Sequence, residues 1–168
     1  MAHGKLTMIM PAPSAAAFEA FYNHKIRLKW DTLLKATYVE GGGTHPYRGA
    51  ITVNEGRGWK SPFSMRTRFL TYDPARYTAA AEMAEPTGPF ALWAASMRHR
   101  DLPDGTSELI YTFSIRLRPR WFGKLFDPLA ALLYRRETRK RFLAMARFLS
   151  SDCRGAAPNE AANRQCEL

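Results

Sequence analysis

The chain has 168 residues, 46% of them hydrophobic and 12% aromatic, and a formal net charge of +10. That is the size of one domain with a sizeable core, and the composition excludes a disordered or collagen-like chain. The only two cysteines, Cys153 and Cys166, lie in the last sixteen residues, so no disulfide framework braces the core.

Residues 5–10, KLTMIM, read as a first strand, and Pro11 ends this apolar run. It is too short for the apolar region of a signal peptide or for a membrane span, so a cytoplasmic chain is expected. Ser14 is placed to cap a short helix over AAAFEAFYN, with Phe18, Phe21 and Tyr22 on one side. A second helical stretch, about His24 to Leu33, lets Ile26, Trp30 and Leu33 share a face.

The period then changes from helix to strand. ATYVEGGG ends in a glycine turn, Gly41 to Gly43. GAITVNEG, FSMRTRFLTYD, RYTAAAEM, FALWAASMRHR and SELIYTFSIRL follow, separated by the turn signals EGRG, YDPAR, EPTGPF and LPDGTS. Such a series predicts an antiparallel meander with a concave side that needs a cover. The segment Trp121 to Ser150 supplies one, with Leu129, Leu132, Leu133 and Leu143 as its expected inner stripe and Pro128 either opening a second segment or kinking one long helix. The domain is thus expected over 1–150, with 151–168 a small, polar, disordered tail.

Three stretches carry a resemblance to a known group. MPAPSAAAFEAFYN resembles the strand, Pro-Ala-Pro, helix entry of the START-like (SRPBCC) superfamily of polyketide cyclases and lipid-transport proteins. RLKWDTLLKATYVEGG resembles its Trp-Asp close of the second helix, and RPRWFGKLFDPLAALLYRRETRKRFLAMARFL the arginine-rich end of bacterial members. The resemblance implies an α+β helix-grip fold: a curved antiparallel sheet of six to seven strands around a long C-terminal helix, with two short helices after strand one. It also implies an apolar cavity between sheet and helix, but no shared catalytic motif.

Strand alternation sorts the residues that face the cover. Phe63, Met65, Thr67 and Phe69 form one inward set; Tyr77, Ala79, Ala81 and Met83 another. Trp93, Ala95, Met97 and His99 form the third, and Leu109, Tyr111, Phe113, Ile115 and Leu117 the fourth. Small inward alanines leave volume, and methionine adapts to varied shapes. Phe18, Trp30, Tyr77, Trp93, Met97, His99, Tyr111 and Phe113 are therefore the candidate lining of a hydrophobic-ligand site, for a lipid, quinone or aromatic polyketide. His99, Tyr77 and Tyr111 are the inward polar groups that could read a ligand.

Between Arg116 and Arg147 stand ten cations and two acids, a local charge of +8. Advancing about 100° per residue from Leu129 places Arg136, Lys140 and Arg147 on the leucine stripe, and Arg135 and Arg141 on its flank or outside. An unpaired buried charge costs several kcal/mol. These cations must therefore snorkel to the rim, pair with an acid such as Glu19 or Asp31, or meet an anionic head group. On the last reading Arg136 stands at the cavity mouth.

No CxxC or His-x-x-x-His spacing suggests zinc, and neither metal nor cofactor is expected. Sequence-specific nucleic-acid binding is not expected either, for want of a recognition motif. Three functional readings follow. The first is a non-enzymatic carrier of a hydrophobic small molecule. The second is a cyclase or dehydratase with His99 or Tyr111 as acid or base. The third is a module peripheral to an anionic membrane or a ribosome through its basic helix.

Overall fold

The computed structural model describes residues 1–57 and 64–155, the side chains of 120–125 and 152–155 excepted. Seven strands form one antiparallel sheet: β1 (Ala2–Met10), β2 (Leu34–Val39), β3 (Ile51–Gly56), β4 (Ser64–Asp73), β5 (Thr78–Met83), β6 (Phe90–Asp101) and β7 (Ser107–Leu117). Their order across the sheet is β1-β7-β6-β5-β4-β3-β2. Two short helices, α1 (Ser14–Tyr22) and α2 (His24–Trp30), follow β1, and one long helix, α3 (Arg120–Gly155), follows β7. This is the expected helix-grip arrangement. α3 continues through Pro128 and runs past the expected end at Ser150; 156–168 lie outside the described residues.

The period-2 pattern builds the sheet as expected. In β7 every odd residue from Ser107 to Leu117 is buried. The register aligns Gly4, Phe113, Ala95, Ala81 and Phe69 across five strands, and beside them Leu6, Tyr111, Met97 and Ala79. After Phe69 a register shift turns β4 over, so that Leu70 is exposed and Tyr72 joins the core. Of the expected inward set in β4, Thr67 and Phe69 are buried and Met65 is half-buried; Phe63 lies outside the described residues.

Two local expectations need correction. Ser14 is not the cap of α1. Pro13 holds the cap position and the Ser14 hydroxyl makes no capping bond. Instead the Ser14 backbone N–H donates to Asp101 Oδ1 on β6, at 2.6 Å. A carboxylate at a helix N-terminus is favoured by the helix dipole, so the sheet caps the helix. α2 ends at Trp30 rather than Leu33, and its cap is Asn23, whose Oδ1 accepts from the N–H groups of Lys25 and Ile26.

The phase of α3 is the larger correction. Leu129, Leu132, Leu133 and Leu143 are 50, 62, 53 and 41% exposed, and Arg136, Lys140 and Arg147 are exposed with them. The face that meets the sheet carries Ala131, Thr138, Phe142, Met145 and Leu149, all buried, with Tyr134 and Arg141 beside them. Their three- and four-residue spacing is a helical stripe, about half a turn from the leucine one. The inner face tolerates a tyrosine and an arginine because partners on the sheet and on α2 satisfy them.

Candidate functional site

The expected lining residues divide between two ends of the concave face. At the α1 end aromatic side chains pack closely on one another. Phe18 packs on Tyr22 at 4.4 Å and on Tyr72 at 5.5 Å between ring centroids, and meets His99 edge-on at 6.1 Å. Met97 and His99 are 2 and 4% exposed, and Tyr77 packs against this cluster half-buried. Trp30 is buried too and donates from Nε1 to the Ala20 carbonyl at 2.8 Å. Phe18, Trp30, Met97 and His99 thus serve as core here. Burial pushes the His99 imidazole down to about 4, against a small opposing pull from Asp101, so the ring is neutral at neutral pH. Neither ring nitrogen has a hydrogen-bond partner among the described residues.

The other end is built around Tyr134 of α3, a residue that the sequence pattern does not single out. Its hydroxyl accepts from Trp93 Nε1 at 2.8 Å and pairs with the Tyr111 hydroxyl at 2.8 Å. Its ring lies 4.8 Å from that of Phe113. Trp93 and Tyr134 are half-buried, while Tyr111 and Phe113 are buried. Burial raises the Tyr111 pKa well above its ordinary value, and neighbouring Tyr134 adds to the rise. Tyr111 therefore keeps its proton at neutral pH and is held as a hydrogen-bonding partner of Tyr134.

Two turns on from Tyr134, Arg141 joins a buried ion cluster. Arg27 Nε donates to Asp31 Oδ2 at 3.2 Å, and Arg141 Nε donates to Asp31 Oδ1 at 3.2 Å, with a further very short contact from the Arg141 guanidinium to Oδ2. Burial favours protonation of Asp31, but Arg141 and Arg27 together outweigh it and hold the carboxyl at about 2. Asp31 is one of the two partners that the sequence reading offers for the helix cations. The helix cation it pairs with is Arg141, which its phase from Leu129 puts on the flank of the stripe or outside it.

Between the β1 edge and α3 a cleft of about 270 Å³ opens, lined by Ala2, His3, Gly4, Phe113, Pro128, Ala131, Leu132 and Arg135. Its lining is apolar apart from His3 and Arg135. Gly4 is required beside it: a Cβ there would collide with the Phe113 ring. Arg135, not Arg136, is the cation at this opening. Arg136 is one residue further round, on the solvent side. A larger, open groove of about 600 Å³ crosses the far face of the sheet over Ala80, Ala94, Ser96 and Thr112. Within it Ser96 pairs with Thr112 at 2.7 Å and His3 with Ser114 at 2.8 Å, and Lys5 stands at its border. Among the described residues no cluster of metal-ligating side chains occurs. No described helix is long and apolar enough to cross a membrane.

A seven-stranded sheet gripping a C-terminal helix, with two short helices after the first strand, is the START-like, or SRPBCC, fold, and this chain has it. Solved structures agree across nearly the whole chain. The Zhui aromatase/cyclase of Streptomyces sp. R1128 aligns with a TM-score of 0.74 at 14% identity, covering 94% of this chain and 99% of its own. A protein of Thermus thermophilus aligns at 0.72 and 10% identity, covering 90 and 99%. Ara h 8.0201 aligns at 0.68 and 12% identity, covering 89 and 98%. No family model matches the chain, and no curated protein matches it in sequence. Likeness at such identities defines the fold and leaves the chemistry to the site.

Proposed function

We propose that this protein binds a hydrophobic small molecule in the cleft between β1 and α3, without transforming it. The observation that carries this reading is the cleft itself, an apolar opening floored by Phe113 with Arg135 at its side. Concave apolar space with a few polar groups is what ligand sites share. At about 270 Å³ it lies just below the usual range of such sites, which favours a single chain or one or two rings over a large polycyclic guest. Arg135 favours a guest with an anionic or strongly hydrogen-bond-accepting end. Phe113 touches Tyr134, so a guest pressing on Phe113 would be felt by the Trp93–Tyr134–Tyr111 chain.

The cyclase or dehydratase reading gains no support from this site. Neither Tyr111 nor His99 borders the cleft, and His99 is packed under Phe18.

The test is a titration with anilinonaphthalene sulfonate, an aromatic anion, together with solvent extraction and mass spectrometry of the purified protein. Ala131→Phe fills the cleft and Arg135→Gln removes its cation. The expected result is that the first abolishes dye binding and any co-purified species, and the second weakens the dye severalfold. If Ala131→Phe, folded as the parent is, keeps both, the proposal fails.

A further inference from the structure

The phase of α3 leaves four of its leucines facing solvent. Leu129, Leu132, Leu133 and Leu143 present large apolar side chains that are 41 to 62% exposed. Single exposed leucines need no explanation, but a row of them on one helix face does. On the same helix Arg135, Arg136, Arg139, Lys140 and Arg147 are exposed as well. Only two acids stand on the described side chains of α3. Asp127 is buried and accepts from the Leu117 N–H, and Glu137 contacts Lys140 at 2.8 Å. At about 100° per residue, all four leucines and Arg136, Lys140 and Arg147 fall within an arc of about 100°.

We propose that this outer face of α3 docks onto an anionic lipid surface, the leucines entering the acyl boundary and the arginines engaging the headgroups. A helix with an apolar stripe and arginines around it lies in the plane of a bilayer interface when the lipids are anionic. Charge complementarity selects this occupant. Lipid supplies both the hydrophobic layer that the leucines need and the negative charge that the cations need. Nucleic acid supplies only the second. The inference does not rest on the ligand proposed for the cleft, and its variants lie at positions that do not line it.

The experiment is co-sedimentation of the full chain with large vesicles of phosphatidylcholine, alone or mixed with phosphatidylglycerol. Two variants at exposed positions outside the cleft lining accompany it: Leu129→Gln with Leu133→Gln, and Arg136→Gln with Arg139→Gln and Arg147→Gln. The parent is expected to pellet with the anionic vesicles and not with the neutral ones. Raising NaCl from about 0.05 M to about 0.5 M should release it. Each variant should bind about tenfold more weakly or worse, with dye binding in the cleft unchanged. The proposal is overturned if the parent does not pellet, or pellets equally with neutral vesicles. It is overturned as well if the leucine variant binds as the parent does. A parent dimer that the leucine variant makes monomeric, without vesicle binding, would overturn it by assigning the face to a second copy of the chain. RNA binding that survives the leucine change, without vesicle binding, would overturn it by assigning the cations to nucleic acid.

Discussion

Asp31 at the end of α2 and Arg141 on α3 form a buried ion pair across 110 positions of sequence, and Arg27 completes it from one turn before the aspartate. The Asp31 side chain is wholly inaccessible. This pair ties the short helices to the inner face of the long one. Removing Arg141 leaves the buried carboxylate with Arg27 as its remaining cation, and a buried charge stripped of a partner costs up to roughly 3–5 kcal/mol. Arg141→Met should therefore lower the urea midpoint far more than Arg136→Met, which alters an exposed cation. Equal small effects from both would refute this account of the pair.

Tyr134 joins Trp93 and Tyr111 through a single hydroxyl. Tyr134→Phe removes the acceptor of Trp93 Nε1 and the partner of the Tyr111 hydroxyl together. Orphaning buried polar groups costs about 1–3 kcal/mol. The expected result is a loss in that range, with a change in Trp93 fluorescence. Tyr111→Phe, which leaves the Trp93 bond intact, should cost less and leave the fluorescence near that of the parent.

The strands are readable because alternation and turn residues are local signals. β6 and β7 face Met97, His99, Tyr111 and Phe113 inward as their period requires. The long helix is readable in extent but not in phase. Leucine dominates any count of apolar side chains, and here four of them lie outside. The inner face instead uses Arg141 and Tyr134, polar residues that become acceptable only through partners such as Asp31 and Trp93. Those partners come from distant sequence, so no window along the helix reveals them. A heptad-like reading of Ala131, Thr138, Phe142, Met145 and Leu149 is the available signal. The Ser14 cap fails for the same reason, since its partner Asp101 lies 87 positions away.

Acid should unfold the protein in two windows. Burial lowers both His24 and His99 from 6.5 to about 4, with Arg27 and His45 adding to the effect at His24. The unfolded chain then binds more protons than the folded one in that interval. Stability is therefore complete above pH 6.5 and declines as the pH falls toward 4. Asp31 is lowered from 3.8 to about 2, so its contribution persists above 3.8 and is lost as the pH falls through 2. His99→Leu should flatten the first window by up to about 3 kcal/mol and leave the second. It should also be tolerated at about pH 7, because both ring nitrogens are unpartnered among the described residues. Urea unfolding at about pH 7, 5 and 4 measures this. An unchanged slope across that range would show that His99 does not titrate in the unfolding equilibrium.

Gly4 and Phe113 face each other across β1 and β7, and the ring occupies the space that a side chain at position 4 would need. Phe113 is pinned on its other side by Tyr134, 4.8 Å away, and by Tyr111 at 6.1 Å. It cannot yield to a new methyl without disturbing that contact. Gly4→Ala should therefore destabilise by about 1–3 kcal/mol, the usual cost of overpacking. Its gain in strand propensity over glycine offsets only part of this. Phe113→Leu shortens the side chain and should cost stability by itself through the lost ring contacts. In combination the two should cost clearly less than their sum, because the leucine vacates the volume that the alanine enters. A thermal or urea double-mutant cycle reads the coupling. Strict additivity would mean that the ring moves aside freely, and the floor of the cleft would then be softer than its packing indicates.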